Sequence, residues 1–196
     1  MDERFEKQLH FLIEVDQMKN VLRQTLLADG SRRENDAEHS WHFALTAMLL
    51  YEYAQDSRVD LSRVIKMALI HDLIEIYAGD TFAFDIQGNQ DKEARERVAA
   101  DRLFALLPPD QGQEIRSLWE EFDAMETPDS QYAAAIDRLQ PFVNNSVTGG
   151  HTWKKNKITA AQVYQRMDMV RISAPRLWPF VEETIHREIE AGSILP

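Results

Sequence analysis

Two histidines and two aspartates lie in segments whose pattern is helical and largely apolar. His39 opens one predicted helix, the adjacent pair His71 and Asp72 lies inside another, and Asp137 lies in a third. Imidazoles and carboxylates are costly in apolar surroundings unless they are paired or bind a metal ion. Two nitrogen and two oxygen donors suit one divalent ion of Mn, Fe, Co, Ni, Zn or, more weakly, Mg.

Two further carboxylates fall close to this set. Glu75 comes four residues after His71 and three after Asp72, so the three share one face of a helix. A carboxylate there can orient or deprotonate a water molecule without binding the ion itself. Asp80 follows Gly79 at the predicted helix end, where a loop can bring it over the same ion.

Simpler explanations exist for each of these residues. A lone His-Asp pair is common in proteins, Asp137 and Arg138 could be a solvated pair, and His39 could belong to the capping turn after Asp36. The order of all four residues, in helical context, favours the metal site. His42 follows His39 by three residues, and we expect it to support a ligand or to pack.

Helical spacing dominates the elements that must position these side chains. Asp36 and Asp60 are candidate helix caps, Pro108-Pro109 is a helix break, and no segment shows convincing strand alternation. The predicted helices cover about residues 4–27, 36–55, 60–79, 91–107, 110–123, 128–147, 159–170 and 175–191, with loops at 79–91 and 149–157. The sequence therefore predicts an all-α fold, a single-domain irregular helical bundle over residues 1–196.

Composition narrows the partners and the location. The net charge of −11 disfavours DNA and RNA, although a local metal and an arginine can still admit a small phosphorylated substrate. No apolar run approaches the roughly 20 residues of a membrane span, so we expect no membrane partner. The chain has no cysteine, and its first residues lack an apolar signal core, so we expect a cytoplasmic protein.

Three sequence words carry a resemblance to a known family. They are the segment 33–40 (RENDAEHS), the segment 71–75 (HDLIE) and the segment 79–81 (GDT). Together with Asp137 they resemble the HD superfamily, and within it the 5′-deoxynucleotidase-like branch that includes the YfbR-type enzymes and the HD-domain-containing protein 2 type. The resemblance covers about residues 5–142 and is weaker over the C-terminal helices at about 159–191.

The resemblance implies an all-helical metal-dependent phosphohydrolase of the HD-domain type, with nucleoside 5′-monophosphates as substrates. It implies that the metal ligands are His39, His71, Asp72 and Asp137, and that Glu75 and Asp80 are catalytic. It also implies substrate contacts from Asp80, Thr81 and Arg23, an arginine placed late in the first predicted helix. Gln24 departs from the YfbR-type tryptophan at the next position, which puts a preference for deoxyribose in doubt.

Two other functions fit the same residues. HD proteins also hydrolyse sugar phosphates, triphosphates and phosphodiesters, so the fold does not choose the ester. A regulatory module could bind a nucleotide without turnover, although pure binding needs neither Glu75 nor Asp80. Trp178 and Phe180 in the last predicted helix suit internal packing or a contact between two copies, which leaves a homodimer open.

Overall fold

The first helix is shorter than its apolar spacing predicts. In the computed structural model, which describes residues 2–196, α1 spans Glu3–Val15 and a 3₁₀ turn follows over Asp16–Asn20. Asp2 caps α1 by accepting a hydrogen bond from the backbone N–H of Arg4. The predicted helix over about 4–27 is therefore wrong beyond its first half.

A β-hairpin takes the place of the missing helical turns. Strand β1 (Leu22–Leu26) pairs antiparallel with β2 (Arg33–Asn35), and the register is irregular between the two paired ends. The turn is closed by a hydrogen bond of 2.9 Å from the N–H of Leu27 to the carbonyl of Arg32, and Gly30 adopts a φ of +72° within it. The expectation of no strand is therefore wrong, because pairing along the hairpin outweighs the helical spacing of its leucines.

The second helix begins as a capped element directly after the hairpin. Helix α2 spans Asp36–Leu49, and a 3₁₀ turn over Tyr51–Tyr53 replaces its predicted last turn. Asn35 is the cap instead of the expected Asp36, and it forms a capping box with Glu38. Asp36 is consequently the first residue of the helix and is fully buried.

The third predicted helix divides at the His-Asp pair. Helix α3 spans Leu61–Ile70 and starts at the cap Asp60, as expected. Beyond Ile70 the backbone bonds have i to i+3 spacing, as in the 2.9 Å bond from the N–H of Glu75 to the carbonyl of Asp72. This tighter turn changes the direction of the chain before the short helix α4 (Glu75–Ala78). A continuous helix through residue 79 is therefore a wrong prediction.

The remaining elements follow the sequence closely. The predicted loop over 79–91 is present, and the described helices that follow are α5 (Lys92–Phe104), α6 (Pro109–Ala124), α7 (Pro128–Val147), α8 (His151–Asn156), α9 (Ala160–Ser173) and α10 (Trp178–Glu190). Helix α8 corrects the loop predicted at 149–157, because buried Trp153 anchors that segment against the core. Among the described residues, no helix combines the length and the hydropathy that crossing a bilayer requires.

Helix α7 lies at the centre of the bundle, where it packs against α2, α3, α6 and α9. Its buried partners include Phe43 of α2, Met67 of α3 and Met167 of α9, which surround Tyr132 and Ile136 of α7. Burial of each such side chain contributes about 1.5–3 kcal/mol. The all-α, single-domain prediction is confirmed, with a short hairpin added. Helix α7 is the central element against which the other elements that carry site residues pack.

A second, smaller apolar cluster supports the turn that carries His71 and Asp72. Leu73 of that turn and Ile74 pack with Phe11 of α1, Leu103 of α5 and Trp119 of α6. The turn is thereby held on both sides, since α3 enters it from the main core and α4 leaves it against this cluster.

The close approach of α5 and α6 gives a test of the packing. Gly112 of α6 is buried, and a Cβ there would lie 2.5 Å from the backbone oxygen of Phe104 at the end of α5. Glycine to alanine stabilises an ordinary helix by about 1 kcal/mol, but overlap reverses the sign here. We expect Gly112→Ala to lower the free energy of unfolding by about 1–3 kcal/mol in urea titrations. Gln113→Ala, at an exposed position of α6, is the control that should keep wild-type stability.

Candidate metal centre

Three elements bring the four predicted ligands to one point. His39 comes from α2, His71 and Asp72 come from the turn after α3, and Asp137 comes from α7. Nε2 of His39 lies 2.9 Å from Oδ1 of Asp137 and 3.8 Å from Oδ2 of Asp72. Nε2 of His71 lies 3.0 Å from Oδ2 of Asp72 and 3.5 Å from Oδ1 of Asp137. Both imidazoles therefore direct the same nitrogen at the same pair of carboxylates.

The other nitrogen of each ring fixes the tautomer. Nδ1 of His39 lies 2.8 Å from Oε1 of Gln140, and Nδ1 of His71 lies 3.0 Å from the carbonyl oxygen of Ala68. Both partners are acceptors, so each Nδ1 carries the proton and donates it. In the neutral rings the Nε2 lone pairs then face the carboxylates.

A cation fits between these groups. Lone pairs that face carboxylate oxygens repel them unless a proton or a metal ion lies between, and Nε2 of His71 is buried without a hydrogen bond of good geometry. Burial lowers the pKa of His71, but Asp72 and Asp137 outweigh that effect and raise it to about 10. The cluster thus favours positive charge at this point, and His39, His71 and Asp72 each offer a donor atom within 4.8 Å of the others.

A buried amide that sequence reasoning missed orients His39. Oε1 of Gln140 accepts from His39, while its Nε2 donates to Glu34 and to Nδ1 of His42, each at 2.9 Å. His42 therefore supports His39 through Gln140, and such outer partners set the orientation of a metal-binding imidazole. Gln140 lies three residues after Asp137 on the same face of α7, and that spacing is the signal that could have identified it.

Arg23 lies on β1, not late in the first helix, and it is already paired. Its Nη1 donates to Oδ2 of Asp72 at 2.7 Å and lies 3.4 Å from Oδ1 of buried Asp36. Burial lowers the pKa of Arg23, but the surrounding carboxylates, led by Asp72 and Asp80, outweigh it and raise the pKa. The guanidinium is thus a counter-ion to the acidic side of the cluster, and Asp36 is a buried partner that the sequence reasoning treated only as a cap.

Glu75 lies beside the cluster without joining its hydrogen bonds to the histidines. It is buried, its Oε2 has no hydrogen-bond partner among the described residues, and it forms a compact acidic group with Asp36 and Asp72. Burial and the charges of Asp72, Asp36 and Asp80 raise the pKa of Glu75 well above its ordinary value. A buried carboxylate with a raised pKa beside the ligand cluster is a candidate for proton transfer.

A cavity of about 280 Å³ opens over the cluster, near the small end of the range for small-molecule sites. His71, Asp72 and Asp137 are exposed to it, and so are the predicted Glu75, Asp80, Thr81, Arg23 and Gln24. Aromatic side chains line its apolar part, namely Phe82, Phe84, Phe122, Phe142 and Trp153. Burial raises the pKa of Asp80. The cavity therefore combines charged and aromatic side chains in its lining.

One arginine that the sequence reasoning did not select holds the loop over this cavity. Arg95 of α5 donates to the carbonyl oxygens of Ala78 and Gly88 at 2.7 and 2.8 Å, and to the hydroxyl of Thr81 at 3.1 Å. The hydroxyl of Thr81 is therefore an acceptor within the fold as well as part of the cavity wall. Gln24, on strand β1, accepts a hydrogen bond of 3.2 Å from Lys155 of α8.

The chain belongs to the HD-domain family, whose sequence profile matches residues 15–178. The resemblance described above is confirmed by this match. Among solved structures, a protein of Magnetospirillum magnetotacticum MS-1 described as a predicted metal-dependent phosphohydrolase is 48% identical. It has a TM-score of 0.94, and the match covers 100% of this chain and 97% of that one. A conserved hypothetical protein of Pyrococcus furiosus, 22% identical with a TM-score of 0.59 over 90% of this chain and 98% of its own, shares the fold.

The curated relatives carry a more particular name. The human 5′-deoxynucleotidase HDDC2 is 29% identical over 139 residues, which cover 70% of this chain and 66% of the human protein. The mouse protein of the same name is also 29% identical over 139 residues, covering 70% of this chain and 68% of its own length. The chain thus spans about two thirds of the length of the curated relatives that it matches.

The buried acid behind the cluster gives a test of its electrostatics. Burial raises the pKa of Glu34 from 4.5 to about 7, so the folded protein favours its neutral form. That contribution to stability is complete below pH 4.5 and is lost as the pH rises through about 7. We expect the unfolding free energy of the metal-free protein to fall more with pH in the wild type than in Glu34→Gln. The difference should reach on the order of 3 kcal/mol between about pH 5 and pH 9.

Urea titrations at several pH values measure this slope. Glu52→Gln, at an exposed position, is the matched control and should retain the wild-type dependence. Parallel curves for the wild type and Glu34→Gln would show that folding does not raise the pKa of Glu34.

Proposed function

We propose that this chain is a divalent-metal-dependent phosphomonoesterase that releases phosphate from nucleoside 5′-monophosphates. The observation that carries the proposal is the convergence of two imidazole Nε2 atoms and two carboxylates at a cavity that His71, Asp72 and Asp137 line. The nucleotide is supported by the aromatic lining of that cavity and by the name of the curated relatives, 5′-deoxynucleotidase.

In this proposal His39, His71, Asp72 and Asp137 hold one divalent ion of Mn, Fe, Co, Ni, Zn or Mg. When bound, such an ion would supply Lewis acidity toward phosphoryl oxygens and would lower the pKa of a water molecule toward about 7. Gln140 and the carbonyl of Ala68 keep both imidazoles in the tautomer that presents Nε2. His42 supports Gln140 from behind, so its contribution is to orientation.

The protein's own groups then divide the proton transfers. Glu75 orients the attacking water and takes its proton, a role that suits a carboxylate whose pKa is raised. Asp80, on the cavity wall, assists the leaving ribose oxygen or holds the sugar. Arg23 offsets the negative charge of Asp72, while Gln24 and Thr81 lie where the sugar would pass. The P–O bond to the sugar breaks as the water oxygen bonds to phosphorus, the ribose oxygen takes a proton from Asp80, and the nucleoside and inorganic phosphate leave.

Metal content and phosphate release test the function together. We expect the wild type to release phosphate from a panel of nucleoside 5′-monophosphates only when a divalent metal is supplied. His71→Ala and Asp72→Ala should lose both the metal, measured by elemental analysis, and the activity, because each removes a donor from a four-donor set. His10→Ala, which removes an exposed imidazole from α1, should retain both.

Two outcomes would contradict this proposal, one in its metal centre and the other in its substrate. Full metal occupancy in both ligand variants would remove the proposed centre. A metal-loaded wild type that hydrolyses sugar phosphates, triphosphates or phosphodiesters in preference to every nucleoside monophosphate would keep the centre but change the substrate.

Glu75 is expected to act in turnover but not in metal binding. Glu75→Gln should keep the metal and lose on the order of 10²–10⁴-fold in kcat, since the amide cannot accept the proton of the water. Glu93→Gln, an exposed position on α5, is the control that should turn over normally. Metal analysis of both variants separates the two roles, and a near-normal kcat in Glu75→Gln would exclude the residue from the chemistry.

A further inference from the structure

Two arginines outside the predicted site line the same cavity. Arg138 comes from α7, directly after Asp137, and Arg166 comes from α9. Both also line a second cavity of about 660 Å³, where they lie with Gln162 and Gln165. The two guanidinium groups thus stand between the space over the metal cluster and a second opening.

These arginines have far fewer acidic partners than Arg23 has. Arg23 pairs with Asp72 and Asp36, whereas among the described residues no carboxylate lies within 4.0 Å of the guanidinium of Arg138. Arg138 donates instead to the sulfur of Met125 at 3.0 Å. The guanidinium of Arg138 is therefore not neutralised by an ion pair with a carboxylate among the described residues.

Arg166 adjoins the cluster itself. Its Nη2 lies 3.5 Å from Oδ2 of Asp137, whose other oxygen faces His39 and His71. Over the described part of the chain the side chain of Arg166 makes no hydrogen bond beyond this ion pair, it is 35% exposed, and it lines the cavity. A ligand that contacts the cluster beside Asp137 would therefore lie close to Arg166.

Two neighbouring guanidinium groups repel each other unless an anion lies between them. A phosphoryl group has several oxygens, and the planar fork of arginine matches their geometry better than an ammonium group does. A dianion that bridges the metal cluster and Arg166 would also meet Arg138, which shares both cavities with it. Two arginines that line one cavity beside a cluster of metal-binding type suit a tetrahedral oxyanion.

We propose that Arg138 and Arg166 form the anion subsite that receives the phosphoryl oxygens of the substrate, and that Arg23 is a counter-ion within the acidic cluster. The identity of that anion as a substrate phosphate rests on the function proposed above. The subsite makes the arginines of α7 and α9 binding residues, and it places the phosphate between those two helices and the His-Asp cluster.

Inorganic phosphate is the probe, because it is the product and needs no turnover to bind. Calorimetric titration of the metal-loaded protein should show that Arg166→Gln and Arg138→Gln each weaken phosphate binding by about 10-fold to 100-fold, the range for a lost charged hydrogen bond. In steady-state assays, the same two substitutions should raise KM for nucleoside monophosphates. Arg171→Gln, an exposed arginine of α9 paired with Asp168, removes the same charge and should change neither value.

Two further experiments separate a loss of phosphate binding from a loss of folding. Thermal unfolding of each variant shows whether the helices remain packed, and Arg166→Lys keeps the charge but removes the fork. Phosphate affinity in Arg166→Lys should fall between the wild type and Arg166→Gln. If Arg166→Gln does not fold, Arg138→Gln and Arg166→Lys carry the test.

The outcomes separate this proposal from the function above. Wild-type phosphate affinity in the arginine variants, or no phosphate binding by the wild type, would overturn the subsite even if nucleotidase activity is found. Loss of affinity only for diphosphates or triphosphates, with inorganic phosphate unaffected, would also overturn it, because the arginines would then hold a second anion. Phosphate binding that depends on both arginines, in a protein that hydrolyses no monophosphate, would support the subsite and reject the proposed function.

Discussion

A carboxylate buried on the central helix is the constraint on which the rest of this structure depends. Asp137 lies on α7 in the middle of the core, and its charge can remain there only if positive or hydrogen-bonding partners surround it. His39, His71 and Arg166 supply those partners from three different elements. The packing of α2, the turn after α3 and α9 around α7 is therefore tied to the same point as the chemistry.

The site also separates charges of opposite sign over a short distance. Asp36, Glu75 and Asp80 gather around Arg23 on one side of Asp72, where burial and mutual repulsion raise the pKa values of the acids. Arg138 is affected in the opposite sense, because burial and then the charge of Arg166 lower its pKa to about 10. A chain of net charge −11 can thus present a locally cationic wall to a phosphorylated ligand.

The sequence predicted the residues whose chemistry requires a partner at their positions. His39, the His71-Asp72 pair and Asp137 stood out because polar groups in apolar helices need a partner, and the structure brings them together. The hairpin could not be predicted in the same way, since the leucines at positions 22 and 26 keep helical spacing and only long-range pairing decides. Gln140 was overlooked although its spacing from Asp137 on α7 offered a signal. Arg138 and Arg166 were not selected because only the packing of distant segments brings them to the cavity, and spacing within one helix does not reveal that.

The contacts of the site join residues that are far apart in the sequence, which affects the order in which the protein folds. His39 and Asp137 are 98 residues apart, and Gln140 is 106 residues from Glu34. Such contacts form late in folding, because long loops must close before they contribute free energy. An incomplete or partly folded chain would therefore have single imidazoles and carboxylates but no shared cation site. Any ion that binds the four together would favour the fully folded chain over every earlier intermediate.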